Sequence, residues 1–137
     1  MPILNTQFAD SIVEKVRISF NEKFNLQLET TPEFSIFDLK DKENKVAVEI
    51  KQRNIQHDKY NEAIIGWNKY IKARQYIQRE YTPIFVWYYA DGIYCYEYDC
   101  SKYERKNNGY GKDIIYIPIN KLVKLDNLQI KKNINNK

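Results

Sequence analysis

The sequence predicts an α+β domain built on a mixed sheet flanked by helices. Three observations carry this reading: two long stretches with helical spacing of apolar residues, runs rich in β-branched and aromatic residues between and after them, and an Asp-Gly turn after the most apolar run of the chain. With 137 residues, only 4 Gly and 4 Pro, the chain has the length of one domain and little of the composition of disorder.

Phe8, Ile12, Val13, Val16, Phe20 and Phe24 recur at three- and four-residue spacing and predict a first helix over residues 6–24. Leu26 and Leu28 alternate with polar neighbours and predict a short strand over 25–29, ended by the turn signal Thr30-Thr31-Pro32. Phe34 to Leu39 and Val46 to Ile50 read as a second and third strand joined through the polar stretch Lys40 to Lys45. From Asp58, a candidate N-cap, Tyr60, Ala63, Ile64, Trp67, Tyr70, Ile71 and Ile77 keep helical spacing to about Arg79, and Pro83 stops the helix. Ile84 to Ala90 (IFVWYYA) predicts a strand buried on both faces, and Asp91-Gly92 turns it back through Ile93 to Tyr98. Residues 100–112 read as a polar loop, and Ile114 to Ile119 as a last strand that Pro118 assigns to an edge. The order is helix, three strands, helix, strand, with an extra C-terminal hairpin and edge strand. Residues 1–127 form the domain and 128–137 a basic, frayed tail.

No run approaches the roughly 18 apolar residues of a membrane helix, and MPILNTQFAD lacks the layout of a signal peptide, so an intracellular location without a membrane partner is expected. Cys95 and Cys100 are too few for a disulfide framework and read as buried thiols. The net charge of +4 lies wholly in residues 119–137. Within the rest, residues 28–49 hold six acids against three lysines, whereas 51–79 hold seven Lys or Arg against two acids. An acidic pole beside a basic one suits a metal site next to a phosphate-binding face, and equally two solvated faces of opposite sign.

Asp38 in FSIFDLK, and Glu49 with Lys51 in KVAVEIKQR, are charges inside runs that otherwise belong in a core. An ionised acid withdrawn from water must be paired or bind a cation. Strand alternation puts Glu49, Lys51 and Arg53 on one face, with Val48 and Ile50 on the other. A turn centred on Glu43-Asn44 places Asp38 opposite Glu49, and a longer loop would shift that register. Two carboxylates directly opposed on neighbouring strands can share one hard cation, and an ammonium two residues along can position water and offset charge on a phosphate.

These residues in this order resemble the PD-(D/E)XK nuclease superfamily, whose restriction-endonuclease-like core runs αβββαβ with an Asp near the end of the second strand and (D/E)-x-K on the third. The resemblance spans roughly residues 8–90. It implies a Mg²⁺- or Mn²⁺-dependent endonuclease acting on DNA, or on RNA, with Asp38, Glu49 and Lys51 as the catalytic set. Asp38, Glu49 and the Ile50 carbonyl would hold the metal, joined by Glu14 or Asp10 of the first helix, while Gln52, Arg53, Lys59 and Tyr60 would meet substrate. Phe37 stands where many members have proline. One site per chain means that cutting both strands requires a homodimer or two successive nicks.

Two other functions share part of the pattern. One is a catalytically inactive nucleic-acid-binding module of the same fold, and the other a small protein-binding domain of the immunity type. His57, alone in a polar loop, reads as solvated, and alternate members of the tyrosine run Tyr88 to Tyr98 read as core.

Overall fold

The computed structural model describes the backbone of residues 2–31 and 37–130, and side chains from residue 11 onward. It is a mixed α+β fold. Helix α1 spans Pro2–Phe24. Asn25 ends it in the left-handed region (φ 55), with the Leu26 N–H returning 3.2 Å to the Asn21 carbonyl. The strands are β1 (Glu29–Thr30), β2 (Leu39–Asp41), β3 (Val46–Gln52) and β4 (Glu62–Gly66), followed by helix α2 (Trp67–Gln78). Then come β5 (Thr82–Tyr89), β6 (Gly92–Glu97), β7 (Glu104–Asn107), β8 (Asp113–Pro118) and β9 (Val123–Lys124).

Six strands form one mixed sheet in the order β1-β2-β3-β5-β6-β9, with β3 and β5 parallel and the other pairs antiparallel. A second, antiparallel sheet has the order β4-β8-β7. Alternation along β3 and β5 makes two cores. Val46, Val48, Ile84 and Val86 pack against Val16 and Phe20 of α1. Ala47, Phe85, Trp87 and Tyr89 face the other way, toward Tyr70, Ala73 and Tyr76 of α2 and Ile65, Ile115 and Ile117 of the small sheet. The Trp87 indole N–H ties the sheets by donating to the Ile64 carbonyl at 3.2 Å.

Five expectations need correction. The first strand is Glu29–Thr30 rather than 25–29, with Leu26 and Leu28 buried in the segment that leads into it. The second strand runs Leu39–Asp41 rather than to Leu39, and the turn narrows to residues 42–45; Phe37 and Asp38 are bends, while residues 34–36 lie outside the described set. The stretch expected to open the second helix is a strand, β4, because Ala63 and Ile65 are buried alternately against β8. Helical and strand spacing coincide over so short a run, and pairing with residues some fifty positions away decides it. Strand β8 is the middle of its sheet, with Pro118 beyond the stretch paired to β7, and the expected loop over 100–112 contains β7.

The end of α2 is set before Pro83. Glu80 adopts φ 67, its N–H donates to the Ile77 carbonyl at 2.9 Å, and the Tyr81 N–H donates to that of Tyr76 at 2.9 Å. This is a Schellman cap, closed by the Tyr76 and Tyr81 rings at 5.2 Å. Beyond residue 127, Leu128 is buried and Ile130 packs beside it on the α1 side, and residues 131–137 lie outside the described set.

Candidate active site

The pairing Leu39↔Val48 carries the register anticipated for the β2–β3 hairpin, but the ladder ends there and does not set Asp38 directly opposite Glu49 as expected. At its end the Asp38 N–H donates to the Val48 carbonyl at 3.0 Å, so residues 38 and 39 both face Val48. Such a bulge re-aims a side chain. Here it carries Asp38 Oδ2 to the Ile50 N–H, 2.8 Å away. In extended backbone a residue's N–H and C=O point to the same edge, so the Ile50 carbonyl faces the side where Asp38 lies.

Glu49 points the opposite way from Val48, toward α2, and is only 2% exposed. Its Oε2 meets two ammonium groups, Lys51 Nζ at 3.3 Å and Lys69 Nζ at 3.2 Å. Its Oε1 is buried and accepts no hydrogen bond among the described residues. Burial, and then the negative charge of Asp38, push the Glu49 carboxyl up to about 7, against the pull of Lys51 and Lys69.

Asp41, the other buried acid among the described residues, shows what a satisfied carboxylate looks like in the same hairpin. Gln27 N–H donates to its Oδ2 at 2.7 Å, Asn44 N–H to its Oδ1 at 2.8 Å and Asn44 Nδ2 to its Oδ2 at 2.9 Å. Burial alone would raise its pKa, but these donors bring it below the ordinary value. Asp41 is a hairpin clasp. Glu49 has the same burial but one oxygen without a donor among the described residues, so it is not satisfied as Asp41 is.

Lys69 was not among the residues singled out from the sequence. A signal existed, because Lys69 shares the helix stripe of buried Ala73 and Tyr76 at spacings of four and seven, where a cation needs a partner. Glu14 of α1 is exposed and ion-paired with Arg17, whose hydrogen bond holds its carboxyl below the usual range; the Asp10 side chain lies outside the described residues. Gln52 donates to Asn54 Oδ1 at 3.1 Å, and Arg53 Nη1 to the Gln52 carbonyl at 2.8 Å. Lys59 and Tyr60 sit in the loop before β4 rather than at a helix start, the ammonium 5.7 Å from the ring centre. Lys51 and Arg53 line a cleft of about 230 Å³ together with Asn68, Asn108, Lys112 and Asp113.

His57 is not a solvated loop residue. Its N–H and Nδ1 meet the two Asp91 oxygens at 2.9 and 2.6 Å, and its ring stacks on Tyr94 with centres 4.1 Å apart, fastening the 53–60 loop to the β5–β6 turn. With Asp58 it brings three ligand-capable atoms within 4.8 Å. Nδ1 is already engaged by Asp91, and no buried polar atom there lacks a partner among the described residues, so this group reads as a clasp. Cys95 is buried, with its thiol pushed up to about 12 by desolvation, whereas Cys100 is exposed. No helix among the described residues is long and apolar enough to cross a membrane. No family model, curated protein or solved structure matches the chain.

Proposed function

We propose that this protein is a metal-dependent nuclease of the PD-(D/E)XK type, hydrolysing phosphodiester bonds in DNA endonucleolytically. The observation that carries the reading is the buried Glu49 carboxylate with one oxygen undonated, beside a second carboxylate and two ammonium groups. Carboxylate oxygens with a backbone carbonyl are the donor set for a hard divalent cation, Mg²⁺ or Mn²⁺. Glu49 Oε1, Asp38 and the Ile50 carbonyl would hold it. When bound, the ion neutralises the two acids, polarises the phosphodiester and lowers the pKa of a nearby water.

The chain's own groups do the rest. The Asp38–Ile50 hydrogen bond ties one carboxylate, carried on the bend that leads into β2, to the backbone of β3. Lys51, one quarter exposed, reaches from the carboxylate to the cleft and can donate to a phosphate oxygen as charge builds on it. Lys69 holds Glu49 from the opposite element and favours its ionised form, offsetting part of the cost of burial.

Incubation of labelled duplex, single-stranded, junction and flap DNA, and of RNA, with Mg²⁺ or Mn²⁺ tests the proposal. Cleavage is expected from the wild type and none from Lys51→Ala or Asp38→Asn; Asn retains an oxygen for the Ile50 N–H but loses the charge. Absence of Mg²⁺ and Mn²⁺ binding by calorimetry, or equal binding by Glu49→Ala, would refute it.

A further inference from the structure

Next to Lys51 the surface opens into two adjoining clefts that share Arg53 and Ile64. The first, holding Lys51, Arg53, Asn68 and Lys112, contains a single acid, Asp113. That acid is already bound by Arg105 at 2.6 Å, so Arg53 and Lys112, with Lys51 shared with Glu49, face the cleft against a neutralised carboxylate. Its chemistry suits phosphate oxygens.

The second cleft has the opposite character. Its volume is about 260 Å³, and apart from Arg53 and Glu62 it is walled by Ile55, Tyr60, Trp87, Tyr89 and Tyr116 and their aliphatic neighbours. This is smaller than the roughly 300–1,000 Å³ of a drug-sized ligand site, so it suits one planar ring system rather than a whole cofactor. Trp87 and Tyr89 are buried, whereas Tyr60 at its edge is 60% exposed, a large ring left uncovered. A cationic cleft meeting an aromatic one at a shared arginine has the chemical layout of a nucleotide: phosphate on one side and base on the other.

We propose that the two clefts together take one unpaired nucleotide, its phosphate against Lys51, Arg53 and Lys112 and its base against the Tyr60 ring, making single-stranded nucleic acid the preferred ligand. A base within a duplex is stacked and paired, and enters such a cleft only if extruded at a cost; an unpaired base enters freely. The assignment of Lys51 to the reacting phosphate rests on the nuclease reading, whereas the binding step does not require cleavage.

The test is binding of one fluorescent oligonucleotide, single-stranded and as blunt duplex, to the full chain in Ca²⁺, with a 2-aminopurine base as a second probe. The single strand is expected to bind at least tenfold more tightly than the duplex. Tyr60→Ala should lose about tenfold of that affinity and abolish 2-aminopurine quenching, while Tyr60→Phe, which keeps the ring, retains both. Equal binding of duplex, or single-strand binding indifferent to Tyr60→Ala, would overturn the proposal. A parallel Mg²⁺ cleavage assay separates the two readings. Tyr60-dependent binding without cleavage refutes the nuclease alone, and cleavage with Tyr60-independent binding refutes the base cleft alone.

Discussion

Replacing Glu49 with Gln removes a charge from a position that is 2% exposed while keeping the shape of the side chain. The folded-state carboxyl titrates near 7 instead of near 4.5, because burial and the Asp38 charge disfavour ionisation more than Lys51 and Lys69 favour it. Below about pH 4.5 the group is protonated in folded and unfolded chains alike and has no effect on stability. Between 4.5 and 7 the unfolded chain releases the proton and the folded one keeps it, so stability falls as pH rises, and above 7 the loss is complete at about 3 kcal/mol. Glu49→Gln carries whatever packing or hydrogen-bonding cost it has at every pH. The stability difference between variant and wild type should therefore move by about 3 kcal/mol in the variant's favour between pH 4 and pH 8. Urea denaturation across that range reads it directly. Parallel curves would refute the buried, destabilised carboxylate. Mg²⁺ at about one hundred times its Kd should restore about 2.7 kcal/mol to the wild type at pH 8 and little to the variant; equal stabilisation of both would show that the ion does not sit on Glu49.

Other perturbations test the surrounding frame. Asp41→Ala should cost about 2–4 kcal/mol by leaving the Gln27 and Asn44 N–H groups without their acceptor, and a loss under about 1 kcal/mol would refute the clasp. Because the Asp41 pKa is lowered, its contribution is present above the ordinary carboxylate range and disappears as pH falls below it, which acid titration of folding should show in wild type but not in the variant. Lys69→Met removes one of the two cations on Glu49 and should move the Glu49 midpoint, followed by carboxyl NMR, upward from about 7; an unchanged midpoint would show that the ammonium is not held there in solution. Phe85→Ala, at the crossing of the Phe37, Tyr70, Trp87 and Tyr98 rings, should cost about 3–5 kcal/mol in the same denaturation assay, and a cost below about 1 kcal/mol would contradict the ring packing.

Much of this architecture is legible from local pattern. The six-position spacing of α1, the apolar run of β5 and the Asp91-Gly92 turn each specify their element within a window of a few residues, where periodicity and turn chemistry act. The β2–β3 register follows from the short polar turn, and strand alternation alone puts Glu49 and Lys51 on one face. Residues 60–66 are where local pattern misleads. Ala63, Ile64 and Trp67 satisfy a helical stripe, yet Ile64 and Ile65 are β-branched neighbours that find a partner strand in β8. The bulge at Asp38 is likewise invisible locally, since it depends on where β2 stops pairing with β3.

The sequence by itself determined the parity of β3, the placement of Glu49 and Lys51 inside a core strand, and the segregation of acidic from basic residues along the chain, because all three are properties of neighbouring positions. Only the tertiary structure decided which carboxylate is fully satisfied and which is not, that Lys69 reaches Glu49 from a helix eighteen residues downstream, and that Arg53 stands between a cationic and an aromatic cleft. Those outcomes are set by how the two sheets and α2 close over one another, and no spacing within a single segment encodes the meeting of β3, α2 and β8.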